Sequence, residues 1–172
     1  MSAVAHRIRQ FWRALRADVQ PQELAQLAEY LNPAQRVLFA RMTVGDQRHS
    51  LDLFYGLRAR KGNDEALLQA ALLHDVGKSL ARIHLWHRVV YVLLGRLSGS
   101  LRARLGARPD RDWRYPYHVL VHHTELGAEL ARRAGCSDDV VALIRNHQQP
   151  VSAQIPPAAQ RRLRALQAAD DD

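Results

Sequence analysis

An all-α, single-domain helical bundle is the fold that three observations predict. Apolar residues recur at helical spacing almost throughout the chain. No segment alternates at period two over the length of a strand. Gly, Pro, Asn, Asp and Ser fall where helices start and stop. At 172 residues and 19.5 kDa, the chain is long enough for one ordinary core and short for two.

Val4, Ile8, Phe11, Trp12 and Leu15 form one stripe of a first helix whose other face is arginine; packing on the core is expected, with a membrane-surface helix as the alternative. A second helix is expected from Pro21 to Leu31. Asn32-Pro33 then caps a third through Met42. A fourth begins near Gly45-Asp46 and sets His49, Leu53 and Leu57 on one face. Lys61-Gly62-Asn63 reads as a turn, with Asn63 or Asp64 as the cap of a helix through Ala66, Leu67, Ala70, Ala71 and His74, ended by Gly77. Arg82–Leu97 is predicted helical, followed by a Gly/Ser break and a loop near Ala107–Arg114. Tyr115–Ala134 resumes as helix and Gly135 closes it in the left-handed conformation. Ser137, with Asp138 and Asp139 in the first turn, opens a helix to about His147. Pro157 stands at the first turn of the last helix. Residues 1–44 are expected to be N-terminal helices packing on the core, and 45–172 the domain bearing the chemistry, in one structural unit.

Composition removes several classes. The one cysteine, Cys136, excludes a disulfide scaffold and a zinc finger. The arginine-bearing N-terminus lacks the apolar run of a secretory signal. The most apolar run, Val89–Leu94, falls far short of the roughly 20 residues that span a bilayer. A cytoplasmic protein is expected. The net charge of +8 suits an anionic partner. It is nearly all arginine, spread among alanines and leucines, and the aromatic interleaving of single-strand binders is absent. No dedicated nucleic-acid surface is therefore expected, and membrane-surface contact stands as the lesser alternative.

Nine histidines are more than structure requires. The most specific string is Leu72-Leu73-His74-Asp75-Val76-Gly77-Lys78, an apolar helix ending in an imidazole and a carboxylate. Consecutive helical residues point about 100° apart, so the pair meets one cation only at a helix end. His49 lies on an earlier helix, His123 opens His123-Thr124-Glu125-Leu126-Gly127, His147 closes Ile144-Arg145-Asn146-His147, and Asp170 closes Leu166-Gln167-Ala168-Ala169-Asp170. His122 and His123 are adjacent, so only one should face a site; the Glu-Leu-Gly that follows favours His123. His84 and His87 read as surface or interhelical residues, and Cys136 as a small packing residue.

This series, a His, a His-Asp pair, further His residues and a distant Asp, resembles the HD-domain phosphohydrolase superfamily over roughly Asp46–Asp170. His74-Asp75-Val76-Gly77-Lys78 is similar to the subgroup in which the pair is followed by Ile/Val-Gly-Lys. The resemblance implies a metal site of His49, His74, Asp75 and Asp170, and a second ion on His123 and His147 with Asp75 bridging. Such N/O ligands suit Mn²⁺, Fe²⁺, Co²⁺ or Ni²⁺, with Mg²⁺ also admitted. The implied reaction is hydrolysis of a phosphomonoester, phosphodiester or pyrophosphate bond in a nucleotide or other small phosphate ester by metal-activated water, with Asp75 and Lys78 as its catalytic residues. Lys78 would touch substrate phosphate; the alternative is a helix-end lysine offsetting the macrodipole. Arg48 is a second phosphate candidate, or a surface arginine. Gln148 stands where some two-metal relatives carry a further His, and Gln148-Gln149-Pro150 replaces the Gly-Tyr-Pro motif of cyclic-dinucleotide phosphodiesterases. The ligand set instead resembles that of small hydrolases of dinucleoside polyphosphates. Rival readings are a weakly catalytic metal- and nucleotide-binding regulator, and a peripheral membrane or adaptor protein.

Overall fold

The structure, a computed structural model, describes residues 18–97, 99–107 and 112–171. The expected helix over Val4–Leu15 lies outside them, as does part of the Ala107–Arg114 loop. The described residues form nine α-helices and no strand: α1 (Pro21–Gln26), α2 (Pro33–Ala40), α3 (Val44–Lys61), α4 (Glu65–Leu73), α5 (Leu85–Leu97), α6 (Gly99–Gly106), α7 (Tyr115–Arg133), α8 (Asp138–Asn146) and α9 (Pro157–Asp170).

The centre of the bundle is α4. Leu67, Leu68, Ala70, Ala71, Leu72 and Leu73 are all buried, so this helix is apolar around most of its circumference, as a helix enclosed by others must be. Leu51, Leu53, Phe54 and Leu57 of α3, Val140, Val141, Leu143 and Ile144 of α8, and Leu163 and Leu166 of α9 close around it in one core. Each fully buried Leu or Ile contributes about 1.5–3 kcal/mol relative to exposure. Leu27, Leu31, Leu38, Phe39 and Met42, from α1, α2 and their flanks, belong to the same core.

Local signals set most boundaries. Asn32 caps α2, accepting from the Gln35 N–H while the Gln35 side chain accepts from the Asn32 N–H. Asp64, rather than Asn63, caps α4 through the Leu67 N–H, and Ser137 caps α8 through the Val140 N–H. Gly135 follows α7 with φ 77°.

Several expectations need correction. The second helix changes after Gln26 into a 3-10 turn, Leu27–Glu29, and α3 starts at Val44 with Thr43 as its cap. The Gly/Ser break expected after Leu97 is short: Gly99 and Ser100 already belong to α6. Gly77 does not end α4, which stops at Leu73; His74 and Asp75 make the turn, and Gly77 lies inside a 3-10 turn, Val76–Leu80. The physical reason for Gly77 is close approach. A Cβ there would stand 2.0 Å from the His123 carbonyl oxygen and 2.8 Å from the Gly127 nitrogen, both backbone atoms of α7. The 3-10 turn thus lies directly against α7.

Candidate metal centre

The C-terminal ends of α4, α8 and α9 meet at one place, bringing His74, His147 and Asp170 together. Helix C-termini carry partial negative charge, so three of them make a setting that favours a cation. His49 comes in from α3, Asp75 and Lys78 from the 3-10 turn and its start, and His123 from the middle of α7.

Three of these histidines share one device. The Nδ1 atoms of His74, His123 and His147 lie 2.9, 2.9 and 2.8 Å from the carbonyl oxygens of Ala71, Leu120 and Ile144, each three residues earlier. A carbonyl only accepts, so each Nδ1 carries a proton and each Nε2 is the ring atom left to face the centre, where a bound cation takes its lone pair. All three Nε2 atoms, with Asp75 Oδ1, are buried and lack a hydrogen-bond partner. Buried polar atoms are nearly always satisfied. Four orphaned acceptors converging on one space fit a shared cation and fit no packing role.

The carboxylates complete the pattern. Asp75 Oδ2 is 3.5 Å from His74 Nε2, and its Oδ1 is 3.6 Å from His123 Nε2, so its two oxygens face two halves of the cluster. Asp170 Oδ1 lies 2.8 Å from His49 Nε2 and 3.7 Å from His74 Nε2. Three overlapping sets bring their ligand atoms within 4.8 Å of one another: His49, His74 and Asp75; His74, His147 and Asp170; and Asp75, His123 and His147. His74, Asp75 and His147 each belong to two of them, which joins the three sets into one cluster. Lys78 Nζ donates to Asp75 Oδ2 at 2.5 Å.

Charge follows from these positions. Burial lowers His123 and His147 to about 4, which keeps both rings neutral and able to ligate near neutral pH. Burial also opposes charge on His74, but Asp75 and Asp170 outweigh it and raise this ring to about 9. Asp75 stays ionised against the burial penalty because Lys78, His74 and His123 surround it; Asp170 is held below the usual carboxylate range, against burial, by His49 and His74. Positive charge gathers on the two carboxylates, from Lys78 and His74, and a cation bound there would take the place of the His74 Nε2 proton; hard or borderline divalent ions are what an all-N/O donor set selects.

The structure brings together six expected metal ligands, His49, His74, Asp75, His123, His147 and Asp170, with Lys78 beside them. Within the adjacent pair, His123 is 3% exposed and joins the cluster, whereas exposed His122 turns to His118, ring centroids 4.6 Å apart. His87 is buried between Trp86 and Tyr117, an interhelical residue as expected. Cys136 accepts from Gln35 Nε2 at 3.2 Å.

Arg48 is placed differently from its expected role. Its Nη1 donates to both carboxylate oxygens of Glu23, at 2.8 and 2.9 Å, and its Nε to Asp52; two carboxylates occupy the fork that a phosphate would need. The arginine whose charge reaches Lys78 is Arg88, which holds both oxygens of buried Asp46 at 2.9 Å while Thr43 Oγ1 donates to Asp46 as well. Sequence reasoning missed this pair; an aspartate one helical turn before His49 was its only signal. A surface groove of about 870 Å³ beside Tyr30, Asn32, Asp64 and Arg162 holds none of the cluster, and its Arg162 is already paired with Asp64.

No match is found among curated proteins, and none among solved structures. The family model of the HD domain matches residues 24–171, starting within α1 and ending just past Asp170. Since that match takes in every helix bearing a ligand of the cluster, the chain belongs to the HD-domain family.

Proposed function

We propose that this protein is a metal-dependent phosphohydrolase acting on a phosphomonoester, phosphodiester or pyrophosphate bond of a nucleotide or other small phosphate ester. HD domains are in general metal-dependent hydrolases and bind divalent metal ions, and this chain has His/Asp groups able to hold one. The observation that carries the reading is the set of buried, unpartnered acceptors: Nε2 of His74, His123 and His147, and Asp75 Oδ1.

In this reading His49, His74, Asp75 and Asp170 would hold one ion, and His123 and His147, with Asp75, would hold a second. Mn²⁺, Fe²⁺, Co²⁺ and Ni²⁺ suit the ligands. Bound there, a pair of divalent ions lowers the pKa of a shared water and neutralises phosphoryl oxygens. The chain's own contribution is orientation. The carbonyls of Ala71, Leu120 and Ile144 fix the imidazole tautomers, and His49 holds the last turn of α9 in register through Asp170. Lys78, released from Asp75 when other positive charge compensates that carboxylate, presents its ammonium to a substrate phosphate as a point charge. Residues 45–171 supply every ligand, and residues 18–44 act as a packing element on that core.

The test is a turnover screen. Protein loaded with Mn²⁺, Co²⁺ or Fe²⁺ is offered mononucleotides, dinucleoside polyphosphates and cyclic dinucleotides, beside a chelator-treated control and the Asp75→Asn variant. Hydrolysis of one class, lost in both controls, is the expected result. Absence of turnover by metal-loaded protein, or turnover indifferent to Asp75→Asn, overturns the proposal.

A further inference from the structure

Helix α5 is apolar on nearly every side, yet among residues 85–94 only His87 is buried. Leu85 is 48%, Trp86 53%, Val89 49% and Leu93 52% exposed. Positions 85, 89 and 93 recur every four residues, so they form one stripe, with Trp86 on its flank. Leu101 of neighbouring α6 is exposed as well. A contiguous apolar stripe in water marks a contact surface.

The surrounding charge narrows what the contact is. Between Asp75 and Asp110 the chain carries neither Asp nor Glu, while it holds Lys78, Arg82, Arg88, Arg96, Arg102, Arg104 and Arg108. Lys78 and Arg88 turn inward to Asp75 and Asp46. Arg82, three residues before Leu85, and Arg104, three after Leu101, are exposed. A partner for this face must therefore accept apolar side chains and present negative charge around them.

We infer that the face built by α5 and α6 docks on an anionic lipid bilayer, with Trp86, Val89 and Leu93 entering the boundary between headgroups and acyl chains and the flanking arginines meeting lipid phosphates. A second copy of the chain satisfies the stripe poorly, because two-fold pairing sets two acid-free basic faces against each other. A nucleic acid supplies phosphates but leaves Leu85, Val89 and Leu93 without an apolar partner. The bilayer meets both requirements. With 13 residues α5 is about 20 Å long, and no helix among the described residues is long and apolar enough to cross a membrane, so the docking lies along the surface. The inference stands apart from turnover at the metal centre.

Co-sedimentation of the full chain with vesicles tests it. Vesicles of mixed phosphatidylglycerol and phosphatidylcholine should bind the protein, vesicles of phosphatidylcholine alone should bind it weakly, and added salt should lower the first. The Val89→Glu/Leu93→Glu variant, altered only at half-exposed positions, should keep wild-type circular dichroism and metal content yet bind the anionic vesicles at least about tenfold less. Four results overturn the inference: equal binding to neutral vesicles; anionic-vesicle binding unchanged by the two glutamates, which puts the contact elsewhere on the chain; no vesicle binding alongside a concentration-dependent dimer that the glutamates abolish; or oligonucleotide binding in place of vesicle binding.

Discussion

Replacing Gly77 by alanine tests the claim that two backbones in direct contact set the spacing of the metal centre. The added Cβ stands 2.0 Å from the His123 carbonyl oxygen, and real Cβ atoms essentially never come closer than 3.0 Å to such an atom, so turn and helix must separate by about 1 Å. Neither side can yield by changing a rotamer, because both are backbone. Overpacking typically costs about 1–3 kcal/mol, and the upper end applies here. For a chain of this size that lowers Tm by about 6–12 °C. The same displacement moves Asp75 and Lys78 away from His123, and a metal tolerates only about 0.2 Å of error in its ligand distances. Loss of one metal equivalent is therefore expected, with the His74 half retained. Gly56 is the control: a Cβ there meets nothing within 4 Å, so Gly56→Ala should stabilise α3 by about 0.5–1 kcal/mol. Thermal unfolding by circular dichroism and metal analysis after gel filtration read both variants. A Gly77→Ala protein that melts with the wild type and keeps its metal would refute the argument.

His123→Ala and His147→Ala should each lower metal stoichiometry and activity strongly, whereas His122→Ala should change neither; metal analysis of the three variants decides, and damage confined to His122→Ala would reverse the assignment. Lys78→Met should leave metal content intact, because the lysine competes with a cation for Asp75, while kcat/KM falls by about tenfold or more at low salt and by less at high salt; unchanged kinetics with a lowered melting temperature would return Lys78 to a helix-end role. Arg88→Ala leaves buried Asp46 with Thr43 as its remaining partner and should cost about 1–2 kcal/mol, below the fully buried case because Arg88 is itself part exposed; an unchanged melting curve counts against it. Burial raises the Cys136 thiol to about 11 from an ordinary value near 9, so at pH 8 its thiolate fraction is about 100-fold below that of the unfolded chain, and a disulfide reagent should react correspondingly more slowly with native than with denatured protein. The sign follows: between about pH 9 and 11 the unfolded chain loses this proton while the folded one keeps it, so the thiol lowers stability as pH rises through that window and contributes no pH dependence below it.

What was legible in the sequence divides along a physical line. Asn32, Asp64, Ser137 and Pro157 act on N–H groups within a few residues, or spare one, so the helix starts they govern can be read locally. The order of the clustered residues along the chain, His49, His74-Asp75, His123, His147 and Asp170, was legible through the series it shares with HD domains. The role of Gly77 is not legible locally, because it depends on a carbonyl 46 positions away in sequence, and a Gly after a helix ordinarily signals a cap. Arg48 and Arg88 look alike in sequence. Only the fold places Glu23 against the first and Asp46 against the second.

The tautomer device has no side-chain signature either. Ala71, Leu120 and Ile144 contribute a backbone carbonyl, which every residue possesses, so nothing in their identity announces the bond. What can be read is the position of the histidine. At the C-caps of α4 and α8, carbonyls of the last turn have lost their intrahelical donors, and an imidazole three residues on from Ala71 or Ile144 supplies one. Satisfying the helix end and pointing a lone pair into the centre are then a single act. His123 makes the same bond in mid-helix, to a carbonyl whose intrahelical donor lies one residue further on. That added acceptance has no bearing on capping, which leaves the fixing of Nε2 toward Asp75 as its structural consequence. Of the three rings, His123 is therefore the one whose geometry serves the cluster without also ending a helix.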